Sequence, residues 1–579
     1  MRDLRTRETV CQFRDEVGPE PPFPFDDDTL VVCYYASAEH GSGLALGWPR
    51  APHTLDLFIA FSNLTNGLPL PHGRGLVGAM SYFGLEYPGD KGRMIPIINR
   101  GNYTAGERDE IKRYNLIDVD ATERLLLAMY PLLDQPRELY RGRFTATAAD
   151  MEWRGVPVDM RDLTRLRRHW TDIQDRLIAR INRNYGIYGG RTFKEDAFER
   201  WLAIEGIPWP RLESGRLALD DKVFREIGRT YPDRIGPIRE LRHALSQLRL
   251  EDLAVGDDGR NRTLTSYFRA RTSRSQPSNS KSIFGTSVWL RSLITPEPGK
   301  GLIAADYSQQ EFGTGAGLSD DPVMKRAYTI GDAYLGFAVE AKATTTEAVQ
   351  RYLGRRKRKL GYDDYDNLIH TVRELYKPVV LSIQYGRGEW GLARTLDVQP
   401  VEARVLIEKS HEAFRQFWDW SDARVRYALL NRHTSTVLGW DLHLAPDVVV
   451  EGKGRMQNKT VIETVNVRSL QNFPLQANAA EMTRLAATLA MERGIAILLT
   501  VHDAIIAEAP LGDLEATAAA LEACMVEASE IILGGFRLRV DSKLIREGER
   551  YRDKRGEAMW QHVTALLDEI EAEGGRAVA

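Results

Sequence analysis

Two apolar runs that each end at an aspartate constrain this chain more than anything else in it. Gly301-Leu-Ile-Ala-Ala-Asp306 reads as a buried strand closing on a carboxylate, and the polar Tyr307-Ser-Gln-Gln-Glu311 after it leads into a helical pattern from Phe312 to Leu318. A carboxylate at a strand's end can face an open cleft while the strand itself stays packed and rigid. Much later, Gly494–Val501 and Ala504–Glu508 form two more apolar runs that meet at His502-Asp503, which reads as a hairpin whose tight turn carries the acid. If these strand ends are neighbours, Asp306 and Asp503 converge. Adjacent carboxylates repel unless something neutralises them. The usual solution is a pair of divalent cations about 3.5–4 Å apart, clamping the attacking and leaving oxygens of a phosphoryl or nucleotidyl transfer.

A third stretch supports that chemistry. Arg373, Lys377, Leu381 and Tyr385 advance by four, so on a helix they lie along one slowly turning face. That face offers two cations to a triphosphate, an aliphatic group at the level of a sugar and an aromatic ring near a base. An ordinary amphipathic helix would carry aliphatics along such a stripe. Pro378 removes one helical hydrogen bond, so the helix either kinks there or has the proline near its first turn. Further on, Asn472 and Pro474 read as a helix start, with the helix running over 475–493 to Gly494.

These stretches resemble the motifs of family A DNA polymerases, the DNA polymerase I family, and look most like those of its phage-encoded members. Asp306-Tyr-Ser-Gln-Gln-Glu311 matches motif A, and Val501-His-Asp503 matches motif C. Arg373-Glu-Leu-Tyr-Lys377-Pro-Val-Val-Leu381-Ser-Ile-Gln-Tyr385-Gly386 fits motif B except at Leu381, where the family has Phe or Tyr. Arg468-Ser-Leu-Gln-Asn472-Phe-Pro-Leu-Gln476 is similar to the motif that grips template and primer. The family often has an acid after the His-Asp pair, and here Ala504 stands instead.

The resemblance implies an α+β, right-hand polymerase of palm, fingers and thumb, with a partial ribonuclease H-like 3′–5′ exonuclease domain at the N-terminus. The expected divisions are 1–135 for that remnant, 136–265 for the thumb and connecting helices, and 266–579 for palm and fingers, the fingers at about 325–430. The implied activity is DNA-templated DNA synthesis from primer–template DNA and deoxynucleoside triphosphates, with two Mg²⁺ ions held by Asp306, Asp503 and the carbonyl of Tyr307. Arg373 and Lys377 would neutralise the triphosphate, Lys377 also as proton donor to the leaving group. Glu311 would press on the sugar, and Tyr385 would hold the nascent base pair. Arg274, Arg468, Asn472, Gln476 and His502 would contact DNA, Gln476 through minor-groove acceptors that are nearly alike for every correct pair. A single-subunit RNA polymerase shares the palm and both aspartates, but Glu311 argues against it. A non-catalytic DNA-binding relative has little reason to retain both acids and both cations.

Length and composition set the frame for this reading. A chain of 579 residues exceeds one core, and 43% hydrophobic with 27% charged residues is usual for a soluble globular protein. Cys11, Cys33 and Cys524 lack metal-ligand spacing and are too few for a disulfide framework, which suggests a reducing compartment. The charged start is no signal peptide and no apolar run approaches a membrane span, so a cytoplasmic location is expected, that of the host cell if the protein is phage-encoded. Seventy-eight basic against 81 acidic residues give a net charge of −3, so any DNA grip must come from local segregation. Arg239, Arg242 and Arg249 share a helical face and feed into Arg260, Arg262, Arg269, Arg271 and Arg274, a candidate backbone grip. The run Arg351, Arg355, Arg356, Lys357, Arg358 and Lys359 suits either a solvated face or single-strand contact.

In the N-terminal part, Thr9–Phe13 and Leu30–Ala36 read as strands. Asp56, Tyr114 and Asp118 resemble survivors of an exonuclease site, but no Asp-x-Glu closes an opening strand. The chain is therefore expected not to proofread.

Overall fold

The computed structural model describes all residues except 247–249, 251, 278–280, 359, 446–447, 452–459, 464–465 and 579. The chain begins with two short parallel strands, β1 (Leu30–Cys33) and β2 (His53–Asp56), with Cys33 opposite Asp56. β1 stops short of its expected end because Tyr35 turns left-handed, at φ 86°, and a helix starts at Ala36. The expected strand at Thr9–Phe13 is reduced to one isolated bridge between Arg2 and Thr9. Next come α1 (Leu57–Leu64), α2 (Ala105–Met129), opened by a Thr104–Glu107 capping box, and α3 (Gln135–Arg154).

A mainly helical stretch follows, including α4 (Met160–Tyr185) and α5 (Pro232–Ser246), around a core of Leu163, Leu166, Ile173, Phe198 and Phe224. β3 (Lys300–Tyr307) then runs into α6 (Gln310–Ser319), and α7 (Ala333–Glu340), α8 (Thr346–Lys357) and α9 (Asp364–Gln384) follow. A small hairpin of β4 (His433–Ser435) and β5 (Asp441–His443) precedes the long α10 (Val467–Glu492). The chain ends with β6 (Ala496–Val501), β7 (Ala504–Pro510), α11 (Leu514–Ile532), β8 (Val540–Ile545) and α12 (Lys554–Val578).

Four of these strands make the antiparallel sheet that carries the site, in the order β6-β7-β3-β8. Its middle strand is apolar at consecutive positions because both faces are covered. Ile303, Ala305 and Tyr307 pack into one core with α10 and α11, while Leu302 and Ala304 face the other, with Leu498 and Ile506. Asp306 continues the second row past the end of that core, where β3 opens into a cleft.

Two long helices depart from the sequence-based expectation. Pro378 lies well inside α9, so the helix runs through a missing hydrogen bond rather than starting at it. α10 starts at Val467, capped by Asn466, whose side chain accepts from the amides of Arg468 and Ser469. Asn472 and Pro474 are interior positions, and near-complete burial from Leu470 to Met491 holds the helix despite the proline.

The N-terminal part is fused to the rest by a dense polar seam. Asn63 accepts from the amide of Asp441 at 2.7 Å, and Asn66 donates to the carbonyls of Asp441 at 2.6 Å and Arg271 at 2.7 Å. Gly67, at φ 92°, sits so close that a Cβ there would lie 2.1 Å from the carbonyl oxygen of His443. The fully buried Arg141 is paired with Glu138 and donates to the carbonyls of Leu438 and Gly439 at 3.1 and 2.7 Å.

Candidate active site

The strand register brings the two aspartates together. Val501 pairs with Ala504, leaving His502 and Asp503 as a two-residue turn with His502 left-handed at φ 55°. Ala504 lies opposite Asp306, and the amide of Tyr307 donates to the carbonyl of Asp503 at 3.3 Å. Partial burial, the adjacent Asp503 carboxylate, a hydrogen bond shared with it, and Asp541 push Asp306 up to about 7, with Lys543 opposing. Burial raises Asp503 as well. Both shifts favour the protonated form over two adjacent anions, which would repel.

Asp541 was not singled out from the sequence. It lies opposite Asp306 on β8, so residues 504, 306 and 541 form one row on one face of the sheet. Its carboxylate accepts from the Ser308 hydroxyl. The only sequence signal was an acid within a final alternating strand, which gives no hint of its neighbour. Among the described residues no group of three His, Cys, Asp or Glu is placed to hold a metal. What the cleft offers is two carboxylates in need of a counter-charge beside the Tyr307 backbone, a hard oxygen set that suits Mg²⁺. The Tyr307 side chain points away, its hydroxyl donating to the carbonyl of Met525 at 2.5 Å.

Glu311, in the first turn of α6, is held from two sides. Arg274 donates to one carboxylate oxygen at 2.6 Å, and the Tyr385 hydroxyl donates to the other. Burial and that carboxylate push the Tyr385 phenol up. Gln384 also donates to the Glu311 carbonyl, at 2.9 Å. The loop bearing Arg274 is fixed from beneath by the fully buried Arg484, which donates to Ser273 and stacks over Phe268, 4.3 Å from its centroid.

The stripe on α9 is present, but its cations differ in state. Arg373 donates to Asp332 at 2.6 Å and to Glu374 at 2.7 Å, over the ring of Tyr334. Asp332 is buried as the N-cap of α7 and was not recognised from the sequence as a partner. Lys377 is exposed and has no partner among the described residues. Leu381 is half-buried against the main core.

Arg468, Asn472 and Gln476 fall at every fourth position of α10, on its least buried side. Asn472 donates to the carbonyl of Arg468 at 2.8 Å and to that of Tyr385 at 3.5 Å, which ties α10 to the end of α9. Its Oδ1 is buried without a donor, an acceptor that a bound group could satisfy. His502 is exposed in its turn rather than packed in a core.

The N-terminal acids have other work. Asp56 is buried and accepts from four backbone amides, those of Tyr35, Ala36, Phe58 and Ile59, as the cap of α1. Asp118 accepts from the Tyr87 hydroxyl at 2.7 Å and lies 3.7 Å from Lys91, with Tyr114 buried one turn earlier on α2.

The basic stretches are also largely engaged. Arg239 pairs with Asp221, Arg242 stacks on Phe193 and Phe224, Arg260 pairs with Glu297 and Glu508, and Arg262 pairs with Asp258. Arg351 and Arg355 pair with Asp363 and Asp366, the capping box of α9, while Arg356 and Lys357 stay exposed without an acid among the described residues. Arg249 and Lys359 lie outside the described residues.

An α+β fold with acids at the open end of an antiparallel sheet, faced by a cation-bearing helix, is that of a right-hand polymerase domain. It superposes on the POL domain of Pol1 from M. smegmatis, solved with DNA primer-template and dNTP, with a TM-score of 0.66 at 19% identity over 89% of this chain and 85% of that one. Residues 278–547, a little under half of the chain, match the family model of DNA polymerase family A. DNA polymerase I of Chloroflexus aurantiacus is 25% identical over 502 residues, 81% of this chain and 50% of that protein. DNA polymerase I of Rhizobium leguminosarum is 24% identical over 75% of this chain and 43% of its own length. The chain thus spans about half, or less, of the curated relatives it matches.

Proposed function

We propose that the chain is a DNA-templated DNA polymerase that extends a primer 3′-hydroxyl with deoxynucleoside triphosphates. The observation that carries this reading is the pair Asp306–Asp503, brought together by strand register beside the Tyr307 backbone. Two Mg²⁺ ions held by these carboxylates and the Tyr307 carbonyl would supply the Lewis acidity that activates the primer hydroxyl and stabilises departing pyrophosphate. Lys377, exposed and unpartnered, is the cation free to neutralise the triphosphate and protonate the leaving group. Arg373 joins it once it exchanges Asp332 for phosphate. Glu311, fixed by Arg274 and Tyr385, stands against the sugar and favours deoxynucleotides. Arg468, Asn472, Gln476 and His502 hold template and primer.

In this reading the sheet with β3 is the palm, α8 and α9 belong to the fingers at about 325–430, and residues 136–265 form the thumb and connecting helices. Residues 1–135 are an exonuclease-like remnant that does not proofread, since Asp56 is committed to four amides. Three free cysteines suit a reducing cytoplasm, and no described helix is long and apolar enough to cross a membrane.

Primer extension with deoxy- and ribonucleotides, with and without Mg²⁺, tests the reading. Mg²⁺-dependent addition of deoxynucleotides is expected. Preferential ribonucleotide addition would favour an RNA polymerase, and no addition under any condition would leave a DNA-binding protein.

A further inference from the structure

Of the arginines that the sequence strings from Arg239 to Arg274, those described are engaged internally, with two exceptions. Arg269 and Arg271 are exposed and have neither an acid nor a hydrogen-bond acceptor for their side chains among the described residues. A third arginine, half-buried, comes from the N-terminal part. Arg74 precedes the helix Leu76–Tyr82 and likewise has no acid partner among the described residues. Its own burial, and then the charges of Arg269 and Arg271, pull its guanidinium down from the usual value.

The backbone of two of the three is pinned by hydrogen bonds. The Tyr34 hydroxyl donates to the carbonyl of Arg74 at 2.5 Å. The carbonyl of Arg271 receives both the Asn66 amide at 2.7 Å and the Trp440 indole at 2.9 Å. The same seam that joins the two parts of the molecule thus pins the backbone at Arg271, and the charges of Arg269 and Arg271 act unfavourably on Arg74 with no acid among the described residues to relieve them. With 81 acidic residues in the chain, an acid could readily have relieved it. Clustered guanidinium forks without protein partners match the oxygens of phosphodiesters.

We propose that Arg74, Arg269 and Arg271 form a phosphate-binding site for the backbone of primer–template DNA, continuing from Arg274 across the seam onto the N-terminal part. The DNA substrate rests on the polymerase reading, while the phosphate chemistry does not. The N-terminal part then serves to hold nucleic acid whether or not it cleaves it.

The full-length protein allows a direct test through binding of a fluorescent primer–template between about 50 and 200 mM salt, where each lost phosphate contact lowers the slope of log affinity against log salt by about 0.9. Arg74→Ala should weaken binding several-fold and flatten that slope by about one contact, and the triple Ala variant by about three. Arg108→Ala, which removes an arginine already paired with Asp15 and Glu16, should do neither. The KM for nucleotide should stay at the wild-type value, since the cluster is assigned to DNA and not to the triphosphate. Because the three side chains make no ion pair or hydrogen bond among the described residues, circular dichroism should be unchanged and Tm should shift little. An unaltered affinity and slope in the triple variant would overturn the proposal. So would a raised nucleotide KM with DNA affinity intact, which would assign the cluster to free polyphosphate. If the wild type binds DNA through this cluster yet extends no primer, the site stands and the polymerase reading falls.

Discussion

Arg484 donates to both the carbonyl and the hydroxyl of Ser273 at 2.7 Å, and holds that serine at φ 56°, a conformation that suits glycine better. The next residue, Arg274, is thereby aimed at Glu311. Arg484→Met should cost about 3 kcal/mol of stability, because it strips a charged donor from two buried acceptors. Ser273→Gly exchanges the hydroxyl contact for relief of the backbone and should stay within about 1 kcal/mol of wild type. Urea unfolding distinguishes the two, and equal losses would show that the clamp carries no special weight.

Asp306→Ala and Asp503→Ala should each lower nucleotide addition by about a thousandfold or more, equivalent to about 4 kcal/mol of transition-state stabilisation. DNA affinity should remain within a few-fold, since neither acid belongs to the basic grip. Single-turnover extension and DNA binding measured on the same preparations check this, and activity within tenfold of wild type would remove both acids from the chemistry.

The raised carboxylate also predicts a pH dependence. A carboxyl whose folded value lies above its unfolded one adds stability at low pH, below its ordinary range near 4, and that contribution is lost as pH rises through the folded value, about 7 for Asp306. The metal-free protein should therefore lose Tm between about pH 5 and pH 8. Mg²⁺ should restore it at the upper end by replacing the proton. Asp306→Asn should flatten the metal-free profile, and a profile unchanged by that substitution would place the titration elsewhere.

Glu311→Ala removes the group held between Arg274 and Tyr385. Discrimination against ribonucleotides should fall by about tenfold or more, with deoxynucleotide addition less affected. The ratio of kcat/KM for the two nucleotides reads this, and an unchanged ratio would argue that Glu311 does not meet the sugar.

Leu381 has no planar ring to pack a sugar and no hydroxyl to stand in for a missing 3′-hydroxyl. The wild type should use dideoxynucleotides poorly, and Leu381→Tyr should extend faster and accept them better. Efficient dideoxy termination by the wild type would contradict this.

The parts of the site that could be read from sequence are those with local causes. An apolar run ending in an acid is a strand end wherever it lies, and Val501-His502-Asp503-Ala504 closes as a two-residue turn within one hairpin. The start of α10 is not legible in the sequence because Pro474 looks like a first-turn residue, whereas tertiary burial supports the helix from Val467 onward. The arginine stripe looked like a DNA face because its acids, such as Asp221 for Arg239 and Glu508 for Arg260, are distant in sequence or lie on other strands. Asp541 was hidden for the same reason, since only the pairing of β8 with β3 sets it beside Asp306.

Gly67 leaves no space for even a methyl group against the carbonyl of His443. Evolution or an engineer could therefore not treat the N-terminal part as a detachable module, swapped or trimmed at a linker. Its boundary with the remainder is a fitted joint in which Asn63 and Asn66 complete backbone hydrogen bonds on the other side. Removing it would leave polar backbone along the β4–β5 hairpin without these partners.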